Sequence, residues 1–245
     1  MPSLFIPAPL LAANALNFAI TEANPAGKLI LLILLFGSII AWYVMINKIT
    51  QIRDAESNSQ KFLSRLRKEL HFVDLFNNRN LAWPRSPIFV LYETGCKKLQ
   101  DLSSPPALRV EQLKGELERT VGEQCVNLES QVSLLGTVVS AAPFVGLLGT
   151  VWGVMDAFTG VANAGTASIG ALAPGISGAL ITTVAGLVVA IPSMVGYNYL
   201  LTKIRHLTVL MDNFASEFVE RVEKELKSLS AIASTRSTTL TRRSM

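Results

Sequence analysis

Charge is what this sequence has least of. Lys, Arg, Asp and Glu together make up 16% of its 245 residues, where a soluble domain carries about a quarter. The shortfall is concentrated in three runs. Nineteen uncharged residues separate Lys28 from Lys48, 26 separate Glu129 from Asp156, and 46 separate Asp156 from Lys203. A helix of ~20 apolar residues, rising 1.5 Å each, crosses the ~30 Å hydrocarbon core of a bilayer. Those runs exclude a large soluble enzyme and define an all-α membrane protein with three transmembrane helices.

Residues that usually carry chemistry are equally sparse. The two cysteines, Cys96 and Cys125, share no CxxC spacing and form neither a disulfide framework nor a zinc ribbon. The two histidines, His71 and His206, fall outside the spans, and neither a GxxxxGK phosphate loop nor an HExxH pair occurs. An intramembrane protease or metal enzyme lacks its parts. The sequence reading therefore expects no enzyme, no cofactor or metal, and no nucleic-acid partner.

The chain divides by composition. Residues 1–27 hold one charge, Glu22, and no basic residue, so they lack the n-region of a signal peptide. They read as a periplasmic segment with a short helix on the membrane surface. Span 1 covers 28–47, with Trp42 and Tyr43 near one end, where amphipathic rings favour the interface. A cytoplasmic helical domain follows over 48–131, with apolar 3–4 spacing from Asn47 to Phe76, a short helix near Ile88 to Leu99, and another over Pro106 to Ser130. Span 2 covers 132–158, a short periplasmic loop 159–172, and span 3 173–201. Residues 202–245 read as a cytoplasmic amphipathic helix, striped by Ile204, Leu207, Met211, Phe214, Phe218 and Val222, then a disordered tail from Ser234. The spans are expected to extend into the cytoplasm as long amphipathic helices. Basic residues set the orientation: 13 lie in 47–131 and eight after Leu201, against Lys28 alone on the other side. The positive-inside rule puts the N-terminus outward and the central domain and tail in the cytoplasm.

Within the spans, small residues line single helix faces. Span 2 carries Ala142, Gly146, Gly149, Thr150 and Gly153; span 3 carries Ala179, Thr183, Gly186, Ala190 and Ser193. Lipid supplies no hydrophobic drive between helices, so small residues mark close backbone approach, and polar side chains at this depth are rare. Two readings stay open. The stripes and their threonines, Thr150 and Thr183, line a pore or grip a partner helix, or they are ordinary packing with hydroxyls bonded to their own backbone. Pro143 and Pro192 are likewise either hinges or tolerated kinks. Asp156, the one acid beside a span, is either functional or simply exposed at the outer interface.

At these residues the sequence acquires a likeness. Ala141 to Phe158 (AAPFVGLLGTVWGVMDAF) and Ala173 to Pro192 (APGISGALITTVAGLVVAIP), followed by Tyr197-Asn198, closely resemble the second- and third-span signatures of the TolQ/ExbB family, related to the flagellar stator MotA. The likeness covers about 130–220, and Asp212 to Phe218 looks more like TolQ than ExbB.

It implies a subunit of the bacterial inner membrane that forms a homopentamer around a dimer of a TolR/ExbD-type protein. That partner has one span with an essential aspartate. Proton flow then drives a TolA/TonB-like protein in Tol-Pal or TonB-dependent transport. Matched position by position, Thr150 and Thr183 are the family's pore-lining threonines. Ala142, Gly146, Gly149, Gly153, Ala179, Gly186 and Ala190 are expected to pack helices and contact the partner. One departure is plain: many family members have glutamate in the pattern PGIAEAL, and here that position is Gly178. The proton-carrying acid must then come from the partner, unless Asp156 is an accessory. A secondary transporter is disfavoured, because the chain has no internal repeat and no midplane charge. A non-conducting scaffold for partner helices is the remaining alternative.

Overall fold

The computed structural model describes residues 24–67, 85–100, 105–164 and 169–243. Among them all regular structure is helical: α1 Pro25–Leu66, α2 Pro87–Gln100, α3 Pro106–Glu129, α4 Val132–Ala164 and α5 Ile169–Arg243. The surface helix expected before residue 24 lies outside the described residues, as do residues 68–76 of the helix expected to reach Phe76.

Local chemistry sets the helix starts. Asn24 accepts the Gly27 amide on its Oδ1 at 2.7 Å, with Pro25 in the first helical position. Ser86 does the same for the Phe89 amide at 3.2 Å, ahead of Pro87. Proline there costs nothing, because a first-turn N–H has no intrahelical acceptor. α3 has no side-chain cap and begins on the Pro105-Pro106 pair. It ends at Ser130, and Gln131 then turns into the left-handed region (φ 67°) before α4 begins.

Two expectations about element ends are corrected. The stretch 159–172 read as a loop, yet α4 runs to Ala164 and α5 starts at Ile169. The tail from Ser234 read as disordered, yet α5 continues to Arg243. After Gly196 the sequence contains no glycine or proline to stop a helix. α4 also passes unbroken through Pro143, and α5 through Pro174 and Pro192.

The described chain divides into two compact units, with boundaries after Lys48, Ser130 and Tyr199. The first holds helices long and apolar enough to cross a membrane, within Pro25–Leu66, Val132–Asn163 and Leu172–Lys227. Ile30 and Leu34 of α1 are buried against Ala142 of α4 and Ala190 of α5. Away from that contact Phe36, Trp42, Phe144, Val151, Val188 and Ile191 are exposed. So many bare large apolar side chains suit a hydrocarbon surround.

The second unit has a core of its own. Phe62, Leu91, Tyr92, Leu113, Leu117, Met211 and Phe218 are fully buried. Phe62 meets Phe89 edge-on at 5.4 Å between ring centroids, and Tyr92 meets Phe218 edge-on at 6.2 Å. Gly95 lies directly under Phe218, where a Cβ would fall 2.7 Å from Cε1. Polar ties join its helices: Lys203 Nζ to Glu56 Oε2 at 2.9 Å and the Ser59 and Ser86 hydroxyls at 3.2 Å.

Candidate functional site

The small-residue stripes of α4 and α5 face each other inside one chain. A Cβ on Gly153 would lie 2.7 Å from Ala179 Cβ, one on Gly146 2.7 Å from the Thr182 carbonyl oxygen, and one on Gly186 2.6 Å from the Ala142 carbonyl oxygen. Further out, a Cβ on Gly175 would lie 2.8 Å from Ala157 Cβ. The paired numbers run in opposite directions, so the two helices pack antiparallel at backbone contact. Ala142, Gly146, Gly149, Gly153, Ala179 and Gly186 therefore all lie in this seam, while Ala190 belongs with Ala142 to the contact with Ile30 and Leu34. The expectation that the stripes both pack helices and meet a partner thus divides. What fills the glycine notches is the chain's own next span, because consecutive helices joined by a few residues are nearest neighbours.

The seam brings the two singled-out threonines together. Thr150 Oγ1 and Thr183 Oγ1 are 3.0 Å apart. Thr150 also donates to the Leu147 carbonyl at 2.7 Å, and Thr183 to the Gly146 carbonyl at 3.2 Å. Both side chains are half-buried at the edge of the seam. A hydroxyl carries one proton and two lone pairs. With their protons spent on backbone carbonyls or on each other, the paired hydroxyls keep lone pairs for an incoming donor. Rotation of either O–H would instead offer a donor to an anion. A neutral pair that can face both forms of a carboxyl group suits proton handling without charge at mid-membrane.

Thr182, which the sequence reading passed over, is the most sealed polar group of the seam. It is fully buried, lies against Gly149, and donates to the Gly146 carbonyl at 3.0 Å and the Ala179 carbonyl at 2.7 Å. The signal was present: Thr182 is three residues after Ala179 and four before Gly186, the same spacing that selects Thr183. Gly178 is buried beside it, where the family pattern has glutamate.

Asp156 is exposed at the far end of the span, outside the threonine pair. Its Oδ2 accepts from Asn24 Nδ2 at 3.0 Å, so the residue that caps α1 also ties α1 to α4. Among the described residues no group of three or more His, Cys, Asp and Glu is placed to hold a metal ion.

Comparison with known proteins bears on the family. The profile of the MotA/TolQ/ExbB proton channel family matches residues 92–213, from α2 through both helices of the seam. The Tol-Pal system protein TolQ of Haemophilus influenzae is 29% identical over 213 residues, covering 83% of this chain and 92% of that protein. TolQ of Pseudomonas aeruginosa is 29% identical over 204 residues, covering 81% and 88%. The biopolymer transport protein ExbB of Pseudomonas putida is 30% identical over 205 residues, covering 84% of this chain and 62% of that protein.

Proposed function

Because the chain belongs to the MotA/TolQ/ExbB proton channel family, we propose that it is the channel subunit of a proton-driven motor in a bacterial inner membrane. The motor is a homopentamer around a TolR/ExbD-type protein, and it energises outer-membrane processes of the Tol-Pal or TonB kind through a TolA/TonB-like protein. The N-terminus faces the periplasm, and the unit built on α2 and α3 faces the cytoplasm together with the C-terminal part of α5. Its work is transport, with no covalent step of its own.

The observation that carries this reading is the Thr150–Thr183 contact at 3.0 Å. Neither hydroxyl titrates, so the acid that takes and releases the proton is the carboxyl of the partner's span. The pair accepts from that group when it is protonated and donates to it when it is ionised. Asp156, at the outer end, is an accessory acid near the point where protons arrive.

Valine has nearly the shape of threonine without its hydroxyl. The double variant Thr150→Val/Thr183→Val should fold, insert and bind its partner, while proton-motive-force-dependent outer-membrane integrity or uptake collapses in cells. The scaffold alternative has its own support, since both hydroxyls also reach backbone carbonyls as packing threonines do. Normal function in the double variant, with complex formation checked by co-purification, would decide for the scaffold.

A further inference from the structure

The Gly146 carbonyl is approached by more donors than it can serve. The helical ladder directs the Thr150 amide to it. Two hydroxyls from α5 also reach it, Thr182 Oγ1 at 3.0 Å and Thr183 Oγ1 at 3.2 Å. A carbonyl oxygen has two lone pairs, so only one of these hydroxyls holds it at a time. Each has a second acceptor within reach: the Ala179 carbonyl at 2.7 Å for Thr182, and Thr150 Oγ1 at 3.0 Å for Thr183. The two protons are therefore coupled. When Thr182 turns to Gly146, Thr183 is released; when Thr182 turns to Ala179, Thr183 is needed at Gly146.

We propose that Thr182 is a positioning residue for the Thr150–Thr183 pair. By satisfying the Gly146 carbonyl from inside the seam, it frees the Thr183 proton for donation to a carboxylate brought against the pair. This rests on the reading of that pair as the proton path. Thr182 itself touches nothing outside the chain: it is fully buried, and a Cβ on Gly149 would lie 2.6 Å from its own Cβ. Without the Thr182 hydroxyl nothing competes with Thr183 for the Gly146 carbonyl, so Thr183 must give up its own hydrogen bond to that carbonyl before it can serve the carboxylate. Loss of Thr182 Oγ1 thus penalises the ionised form of the acid and leaves the protonated form untouched. Proton release becomes harder, and the pH at which it occurs rises.

The test uses proteoliposomes holding the full complex with the single-span protein that co-purifies with the chain, and reads proton flux against pH. Thr182→Val should move the midpoint upward by about one pH unit, a tenfold change in proton affinity, with the yield of complex unchanged. Thr182→Ser, which keeps the hydroxyl, should restore the original midpoint. A purely structural role would lower flux equally at every pH and would not be rescued by serine; that outcome overturns the proposal. So does an unmoved midpoint in Thr182→Val while Thr150→Val abolishes flux, which leaves the proton path standing without its positioning residue. Unchanged flux in both variants removes the path as well. If the valine chain fails to assemble, Thr182→Ala, which leaves more room beside Gly149, replaces it in the same comparison with serine.

Discussion

A missing Cβ governs how close α4 and α5 come, and the cost of restoring one depends on what it would strike. At Gly186 the obstacle is backbone: the new atom would lie 2.6 Å from the Ala142 carbonyl oxygen. Backbone in a packed helix cannot rotate aside as a side chain can, so the helices themselves must separate. Gly186→Ala should destabilise the protein by ~1–3 kcal/mol, the usual range for overpacking, and should weaken the threonine contacts along with it. Gly160, near the end of α4, has nothing within 4 Å, and Gly160→Ala should stay within ~0.5 kcal/mol of the parent, as exposed substitutions do. Thermal unfolding of both variants in one detergent checks the contrast; equal stability would mean that the seam is not packed as described. The stripe itself was legible, because offsets of three and four mark a helix face. Which threonine sits at its centre was not. Thr182 and Thr183 fit the spacing equally well, and only the register against the second helix, which the periodicity of one helix does not encode, puts Thr182 inside and Thr183 at the edge.

Helices in this chain were easier to foresee than their ends. The short helix expected near Ile88 to Leu99 is α2, Pro87–Gln100, and the one over Pro106 to Ser130 is α3, Pro106–Glu129. Prolines open both, and a proline is a strong boundary because it cannot donate to the preceding turn. The misread ends, 159–164, 169–172 and the tail, are places where small or polar composition suggested a loop but no residue forbids the helix. Ser86 shows what a single end residue contributes. Its hydroxyl caps the Phe89 amide and meets Ser59 Oγ at 3.2 Å in a buried contact. Ser86→Ala removes both and should cost ~1–2 kcal/mol, the range for loss of an N-cap. Hydrogen exchange should show the added opening confined to the first turn of α2 and its surroundings; protection unchanged at Phe89 would show that the cap is not made in solution.

For the molecule as a whole, the distribution of charge carries the proposed orientation, and the chemistry of the cysteines decides how it can be tested. Twenty-one of the 22 basic residues fall in 47–131 or after Leu201, and the ones nearest the spans, Lys48 with Arg53 and Lys203 with Arg205, weigh most in the positive-inside rule. The native cysteines are poor reporters of it. Burial pushes the Cys96 thiol up to about 11, outweighing the opposing hydrogen bond with Tyr92, and thiolate is the reactive form. Cys96 would stay unlabelled on either side of a membrane. Cys125 is half-buried, with Thr208 Oγ1 at 3.2 Å from its sulfur. A cleaner measurement replaces both, by Cys96→Ala and Cys125→Ser, and adds one exposed thiol at a time. Gly160→Cys lies at the end of α4 that the positive-inside rule places outward, and Glu123→Cys on the exposed surface of α3. An impermeant maleimide applied to intact inner-membrane spheroplasts should label position 160 at once and position 123 only after permeabilisation. Either site labelling in the opposite order would reverse the proposed topology.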